Sequence, residues 1–177
     1  VSTTRPWPQA APLATARLYL EPLRVSHAGE AAAVFDDVRL HRWTGGRPRT
    51  REELEATYRR RSVGCSPDGR RGWLNWMLRR RSDQRLLGTV QATLSRTGPS
   101  ATVAELAWVI ATDHQRHGYA REAATGVVAW LRARGIVELR AHIHPCHDAS
   151  QAVARALGLR PTDVVADGEV LWRAVVG

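Results

Sequence analysis

A six-residue turn, Gln115-Arg116-His117-Gly118-Tyr119-Ala120, lies between a strand-like run ending at Ile110 and a helix-like stretch starting at Tyr119. These residue types suit the binding of an anion. The first turn of a helix presents backbone N–H groups that lack intrahelical acceptors, and the peptide dipoles add partial positive charge there. Gly118 has no side chain to hold a phosphate away from the backbone, and the small Ala120 keeps the next position open. Arg116 and Arg121 add full charges. A glycine ahead of a helix is commonplace, so the turn alone specifies an anion and nothing finer. The dinucleotide fingerprint fits less well because its G-x-G start is missing, and the P-loop because Gly-Lys-Ser/Thr is missing.

A second concentration of reactive side chains follows at His142, His144, Cys146 and His147. The donor atoms suit a metal, but the spacing matches no structural zinc pattern, and no metal is expected.

The elements that must hold these residues can be read from periodicity. Residues 1–14 are rich in Pro, Ala, Thr and Ser and read as a flexible arm, leaving 15–177 as a single domain. Residues 17–21 alternate as a strand and Pro22 ends it. Ser26 is placed to N-cap a helix through Phe35, and residues 44–48 form a Gly-rich loop. Thr50 and Glu53 make a capping box for a helix to about Arg61. Three strands follow at 72–78, 86–94 and 102–110, separated by turns at 81–84 and 97–100, the pattern of an antiparallel meander. A helix from Tyr119 to about Arg134 stops at Gly135. A strand at 137–143, a helix at 148–157 capped by Gly158, and a strand at 169–175 complete the chain. Six strands are expected, in a mixed α/β (α+β) sheet that opens a crevice where its central strands part.

Composition sets outer bounds. The chain has 177 residues, enough for one domain that buries about 70% of its unfolded surface without a metal or disulfide. No apolar run approaches the roughly 18 residues of a membrane span, and no secretory leader is evident. Two cysteines, Cys65 and Cys146, form no framework, which points to a reducing cytoplasm. The net charge is +9 and every one of the 26 basic residues is arginine. Such a balance favours a polyanionic ligand. Solvated surface explains many of these arginines equally well.

Several segments in order resemble the GNAT N-acetyltransferase superfamily. The turn 115–120 fits that family's pyrophosphate motif, Gln/Arg-x-x-Gly-x-Gly/Ala, between the fourth strand and third helix. Thr15-Ala-Arg-Leu-Tyr-Leu-Glu-Pro22 and Glu105-Leu-Ala-Trp-Val-Ile110 are similar to the first and fourth strands of the branch containing ribosomal-protein alanine acetyltransferases. His144-Pro-Cys-His-Asp-Ala-Ser150 is similar to its strand-to-helix segment, with His147 where the pattern has Asn. The resemblance implies a mostly antiparallel sheet splayed between strands four and five and flanked by about four helices. It also implies a cytoplasmic acyltransferase that moves an acetyl group from acetyl-CoA to an amine, with homodimers common.

Residue roles follow from the resemblance. The N–H groups of 116–120, with Gln115 and Arg121, would hold the pyrophosphate. Trp108, Val109 and Ile110 would pair with the pantetheine arm as a pseudo-strand, and strand four would leave strand five at a bulge. Glu105, on one face with Ala107 and Val109, is the candidate base acting through water, or else the ion-pair partner of an arginine. Ser150 is the candidate hydrogen-bond partner of the thiol, or an ordinary first-turn serine. His147 either replaces Asn in holding the cofactor or works as acid or base. Trp73 and Trp76 sit on opposite faces of one strand. One belongs in the core, and the other, taken as Trp76, would line the acceptor cleft with Trp43 and the Gly45-Gly46 loop. The acceptor is expected to be a small-molecule amine. The alternatives are a protein N-terminus beginning with alanine or serine, an inactive acyl-CoA sensor, or a nucleic-acid module built on Arg59–Arg61 and Arg79–Arg81.

Overall fold

The computed structural model describes residues 6–43, 45–98 and 101–175. Its eight strands are β1 (Leu13–Ala14), β2 (Leu18–Pro22), β3 (Arg71–Arg80), β4 (Leu86–Arg96), β5 (Thr102–Ile110), β6 (Glu138–Ile143), β7 (Arg160–Ala166) and β8 (Glu169–Val175). They form one sheet in the order β1-β2-β3-β4-β5-β6-β8-β7. Among the described residues only β5 and β6 run parallel, and every other strand pair is antiparallel. Because β1 is new, the expected strands four and five are β5 and β6. The helices are α1 (Ala28–Val34), α2 (Arg51–Arg61), α3 (Tyr119–Arg132) and α4 (Asp148–Ala156).

Strand alternation divides the side chains between two apolar clusters. Leu74, Trp76 and Leu78 of β3, with Val90, Ala92 and Leu94 of β4, point toward α3 and α4, where they meet Ala123, Val127, Leu131 and Ala154. Met77 and Leu86 face the other way, onto Ala28, Ala31, Leu54 and Tyr58 of α1 and α2. Burying each large aliphatic side chain contributes about 1.5–3 kcal/mol. The Thr50–Glu53 capping box forms as expected at α2. Gly135 and Gly158 end α3 and α4 in the left-handed region, at φ 77° and 87°.

Four expectations need correction. Residues 6–14 do not form a free arm. The Trp7 indole donates to the Gly69 carbonyl, the Trp76 indole to that of Ala11, and β1 pairs with β2. Apolar residues in that segment, Trp7, Ala10, Ala11 and Leu13, are drawn onto the core; residues 1–5 lie outside the described residues. Ser26 does not cap α1: residues Val25–His27 form a 3-10 turn, and the Arg24 N–H donates to His27 Nδ1. β7 was missed because Pro161 and Asp163 disfavour strand and the segment is mostly exposed at the sheet edge. The available signal was Asp167-Gly168, both at positive φ, the usual two-residue hairpin turn. Finally, the Trp76 indole is fully buried and packs edge-on against Trp130 at 5.6 Å, so its ring belongs to the core, although the residue still borders the cleft under α2.

Candidate active site

The sheet opens where its one parallel pair fails. β5 pairs with β6 only at Val103, Ala104 and Glu105, while its pairing with β4 continues through Ile110. The β4–β5 register is unbroken, so the expected bulge is absent. Each strand instead keeps its antiparallel partner: β5 stays with β4, and β6 follows β8 over six residue pairs. Gly88 of β4 permits this. A Cβ there would run into the Val109 carbonyl oxygen, and the next residue, Leu87, accepts a hydrogen bond from the Ala111 N–H at 2.8 Å. Among the described residues, 106–110, including Trp108, Val109 and Ile110, therefore have no strand partner on the β6 side, where the Ile110 carbonyl is taken by Gln115 and the rest of the edge is open to an extended ligand adding as a strand.

That edge runs directly into the turn. After a 3-10 turn at Thr112–His114, Arg116 and Gly118 take positive φ values of 65° and 79°. Gly118 is the N-cap of α3, and the first helical bond runs from the Glu122 N–H to its carbonyl. The N–H groups from Gly118 to Arg121, Tyr119 and Ala120 included, therefore have no acceptor within the helix. Alternating backbone handedness of this kind turns successive N–H groups into an anion-binding concavity. Side chains brace the turn. Gln115 Nε2 donates to the Ile110 carbonyl, the His117 ring contacts the Gln115 carbonyl at 2.7 Å, and His117 stacks on Tyr119. Arg116 and Arg121 are exposed and form no ion pair among the described residues.

Arg17, just ahead of β2, is a positioning residue the sequence reading did not single out. Its Nε donates to Glu122 Oε2 at 2.7 Å and its Nη1 to the His117 carbonyl at 3.1 Å, while the guanidinium covers the Tyr119 ring. Glu122 also accepts from the Arg17 N–H and from the Thr15 hydroxyl, and these donors hold its carboxyl below the usual range against the opposing effect of burial.

Glu105 is the last residue of β5 paired with β6, and its exposed carboxylate lies 3.1 Å from His142 Nδ1. The expected alternative partner was an arginine; the structure supplies an imidazole. Ser150 occupies the first turn of α4, half-buried. His147 precedes that helix and stacks on Trp43 at 5.1 Å, and the His144 ring lies tilted at 4.9 Å from the same indole. Burial, followed by the nearby His144, holds the His147 pKa below its ordinary value, against a smaller opposing pull from Asp148. Trp43 thus packs against the segment between β6 and α4, and among the described residues no three His, Cys, Asp or Glu side chains group as metal ligands would.

On the face of β5 bearing Ala107 and Val109 lies a cleft of about 630 Å³, roofed by α2 and residues 45–49. Its floor is Asn75 and Met77 of β3 and Thr89 and Gln91 of β4. A smaller hollow of about 440 Å³ continues it past Arg61 to Trp73 and Thr93. Trp73, not Trp76, is therefore the indole on the open face. The arginine run at 79–81 is consumed internally: Arg79 pairs with Glu21 and Glu30, Arg80 with Asp83, and Arg81 donates to the Thr15 carbonyl. No helix among the described residues is long and apolar enough to cross a membrane.

Comparison with known proteins agrees with this geometry. Residues 17–160 match the acetyltransferase (GNAT) domain family. No curated protein matches the sequence. A GNAT-family acetyltransferase from Bacillus anthracis is 14% identical, with a TM-score of 0.72 over 93% of this chain and 98% of its own. The ribosomal-protein-S5-alanine acetyltransferase of Vibrio fischeri is 17% identical, with a TM-score of 0.74 over 93% and 96%. RimJ of Mycobacterium smegmatis, solved with CoA-disulfide, is 18% identical, with a TM-score of 0.74 over 93% and 86%. At these identities the structures testify to fold. The family match covers most of the chain, which belongs to the GNAT acetyltransferase family and is an acyl-CoA-dependent N-acetyltransferase.

Proposed function

We propose that this GNAT acetyltransferase moves the acetyl group of acetyl-CoA directly onto a small-molecule amine bound in the cleft beside Ala107 and Val109. The observation that carries the reading is the unpaired edge of β5 leading straight into the Arg116–Ala120 turn. The turn takes the pyrophosphate on its free N–H groups, and the edge of Trp108–Ile110 takes the pantetheine arm as a strand. The thioester then lies near the point where β5 and β6 part.

Transfer forms a C–N bond and breaks the C–S bond. The attacking amine must be neutral, and its proton passes through water to Glu105. His142 orients that carboxylate across the 3.1 Å contact. Backbone N–H groups of the free edge stabilise the oxyanion that develops on the thioester carbonyl. The sulfur departs as thiolate, hydrogen-bonded by the Ser150 hydroxyl, and takes up through water the proton that Glu105 received, leaving free CoA thiol. His147, held neutral at pH 7 and fixed by Trp43, donates to the cofactor's amide in place of asparagine.

The test is release of free thiol from acetyl-CoA with a panel of amines, alongside a peptide beginning with alanine. Turnover on small amines is expected. Turnover on the peptide alone would assign the acceptor to a protein N-terminus, and CoA binding without any transfer would leave a sensor.

A further inference from the structure

The acceptor cleft carries more positive charge than it neutralises. Three arginines, Arg47, Arg49 and Arg61, line it against a single carboxylate, Glu53. Glu53 is taken by Arg47, whose Nη1 and Nη2 both donate to it, and it also accepts from the Thr50 N–H. Arg49 has the neutral Thr57 hydroxyl as its hydrogen-bond partner, at 3.1 Å, although it stands within range of the Glu53 charge. Arg61 donates to the Gln91 side-chain carbonyl at 3.0 Å and forms no ion pair among the described residues. It is half-buried, and burial together with Arg49 and Arg60 makes its positive charge harder to hold. A guanidinium shielded from water and given only neutral partners is a ready place for an anion, because charge-assisted bonds are the strong ones.

The register sets the distance between this anion site and the reacting end. Gln91, which anchors Arg61, is directly opposite Ala107 of β5. Adjacent strands are about 4.8 Å apart, so Arg61 stands roughly one to two strand spacings from the edge that presents the thioester. Arg60 adds a further charge beyond Arg61, where the second hollow contains no carboxylate.

We propose that the acceptor is an amine carrying an anionic group, carboxylate or phosphate, a few bonds from its nitrogen. Arg61 and Arg49 bind the anion and aim the nitrogen at the open edge of β5. This rests on the transfer reading above and narrows it: polyamines and other polycations are poor acceptors.

The test uses matched pairs with the full chain: 2-aminoethyl phosphate against 2-aminoethanol, β-alanine against its amide, and a peptide beginning Ala-Glu against Ala-Gln, with spermidine as the polycation. In acetylation assays the anionic member of a pair is expected to exceed its neutral partner by about tenfold or more in kcat/KM, as a charge-assisted bond requires. The pair showing the largest ratio identifies the anion's source. Arg61→Gln should collapse that ratio while leaving the KM for acetyl-CoA unchanged; if it does not fold, Arg49→Gln should lower the ratio partway. Equal or better rates for the neutral partners, or for spermidine, overturn the proposal and leave the transferase reading intact. If no amine turns over, the transfer reading fails, and titration of the same pairs into CoA-saturated protein decides the anion site alone: tighter binding of the anionic member supports it, and equal binding overturns it.

Discussion

The two ends of the site are built from different material. The proposed donor end consists almost entirely of main chain: a strand edge over residues 106–110 with no β6 partner and the N–H groups of a helix start. The proposed acceptor end consists of side chains, Arg49, Arg61, Asn75 and Gln91, projecting from α2, the segment before it and the face of the sheet. A main-chain site depends on where the backbone goes, and a handful of glycines and pairings decide that. A side-chain site can be rewritten residue by residue while the fold stays the same. One fold can therefore keep its donor and change its acceptor.

The largest test of this division falls at the junction. Glu105→Gln should lower kcat by about 100-fold or more, the usual scale of general-base catalysis, with little change in affinity for CoA. Unchanged kcat would remove Glu105 from the chemistry. Next come changes to the donor backbone. Gly118→Val forces a β-branched residue to φ 79°, and Gly88→Ala drives a methyl group into the Val109 carbonyl. Each should raise the KM for acetyl-CoA by roughly tenfold, the first through about 1–2 kcal/mol of left-handed backbone strain and the second by pushing β5 away from β4. Arg116→Ala and Arg121→Ala should cost less than either, because their exposed charges are screened. A larger loss from the arginines would mean that side chains hold the pyrophosphate and would break the comparison. Arg17→Ala should produce a change of only a few fold, in acetyl-CoA KM and not in acceptor KM.

The smallest effect depends on pH. Burial keeps the folded protein from protonating His147 as readily as the unfolded chain does. As pH falls, the unfolded state takes up the proton first. The stability this provides is therefore intact above the ordinary histidine value near 6.5 and is lost below it. His147→Asn should unfold at a less pH-dependent temperature than the parent between pH 7 and 5. Parallel curves for the two proteins would show that His147 titrates normally.

The same division explains what could be read from the sequence. Main-chain features are written locally: Gly118 before a helix, Thr50 and Glu53 three apart, and Gly135 and Gly158 after helices all signal their geometry within a few residues. Contacts between distant residues leave no such mark. Nothing near Trp43 announces that it stacks on His144 and His147, some hundred residues on. Strand parity separated Trp73 from Trp76, yet it could not say which face α3 would cover. Gly88 reads as an ordinary strand glycine until β5 is laid against it. The parting of β5 from β6 was expected, but its cause was not, because a choice of partners among four strands is a property of the assembled sheet.

The clasp of Arg17 on Glu122 and on the His117 carbonyl joins groups about a hundred residues apart. Synthesis proceeds from the N-terminus, so Arg17 is made long before the residues it must grip. Throughout that interval β2 can pair with β3, but the anion cradle cannot close, since its helix start does not yet exist. If the turn holds CoA as proposed, that site is incomplete until α3 has been made. The turn is completed only when Arg17, made early, meets Glu122 and His117, made about a hundred residues later.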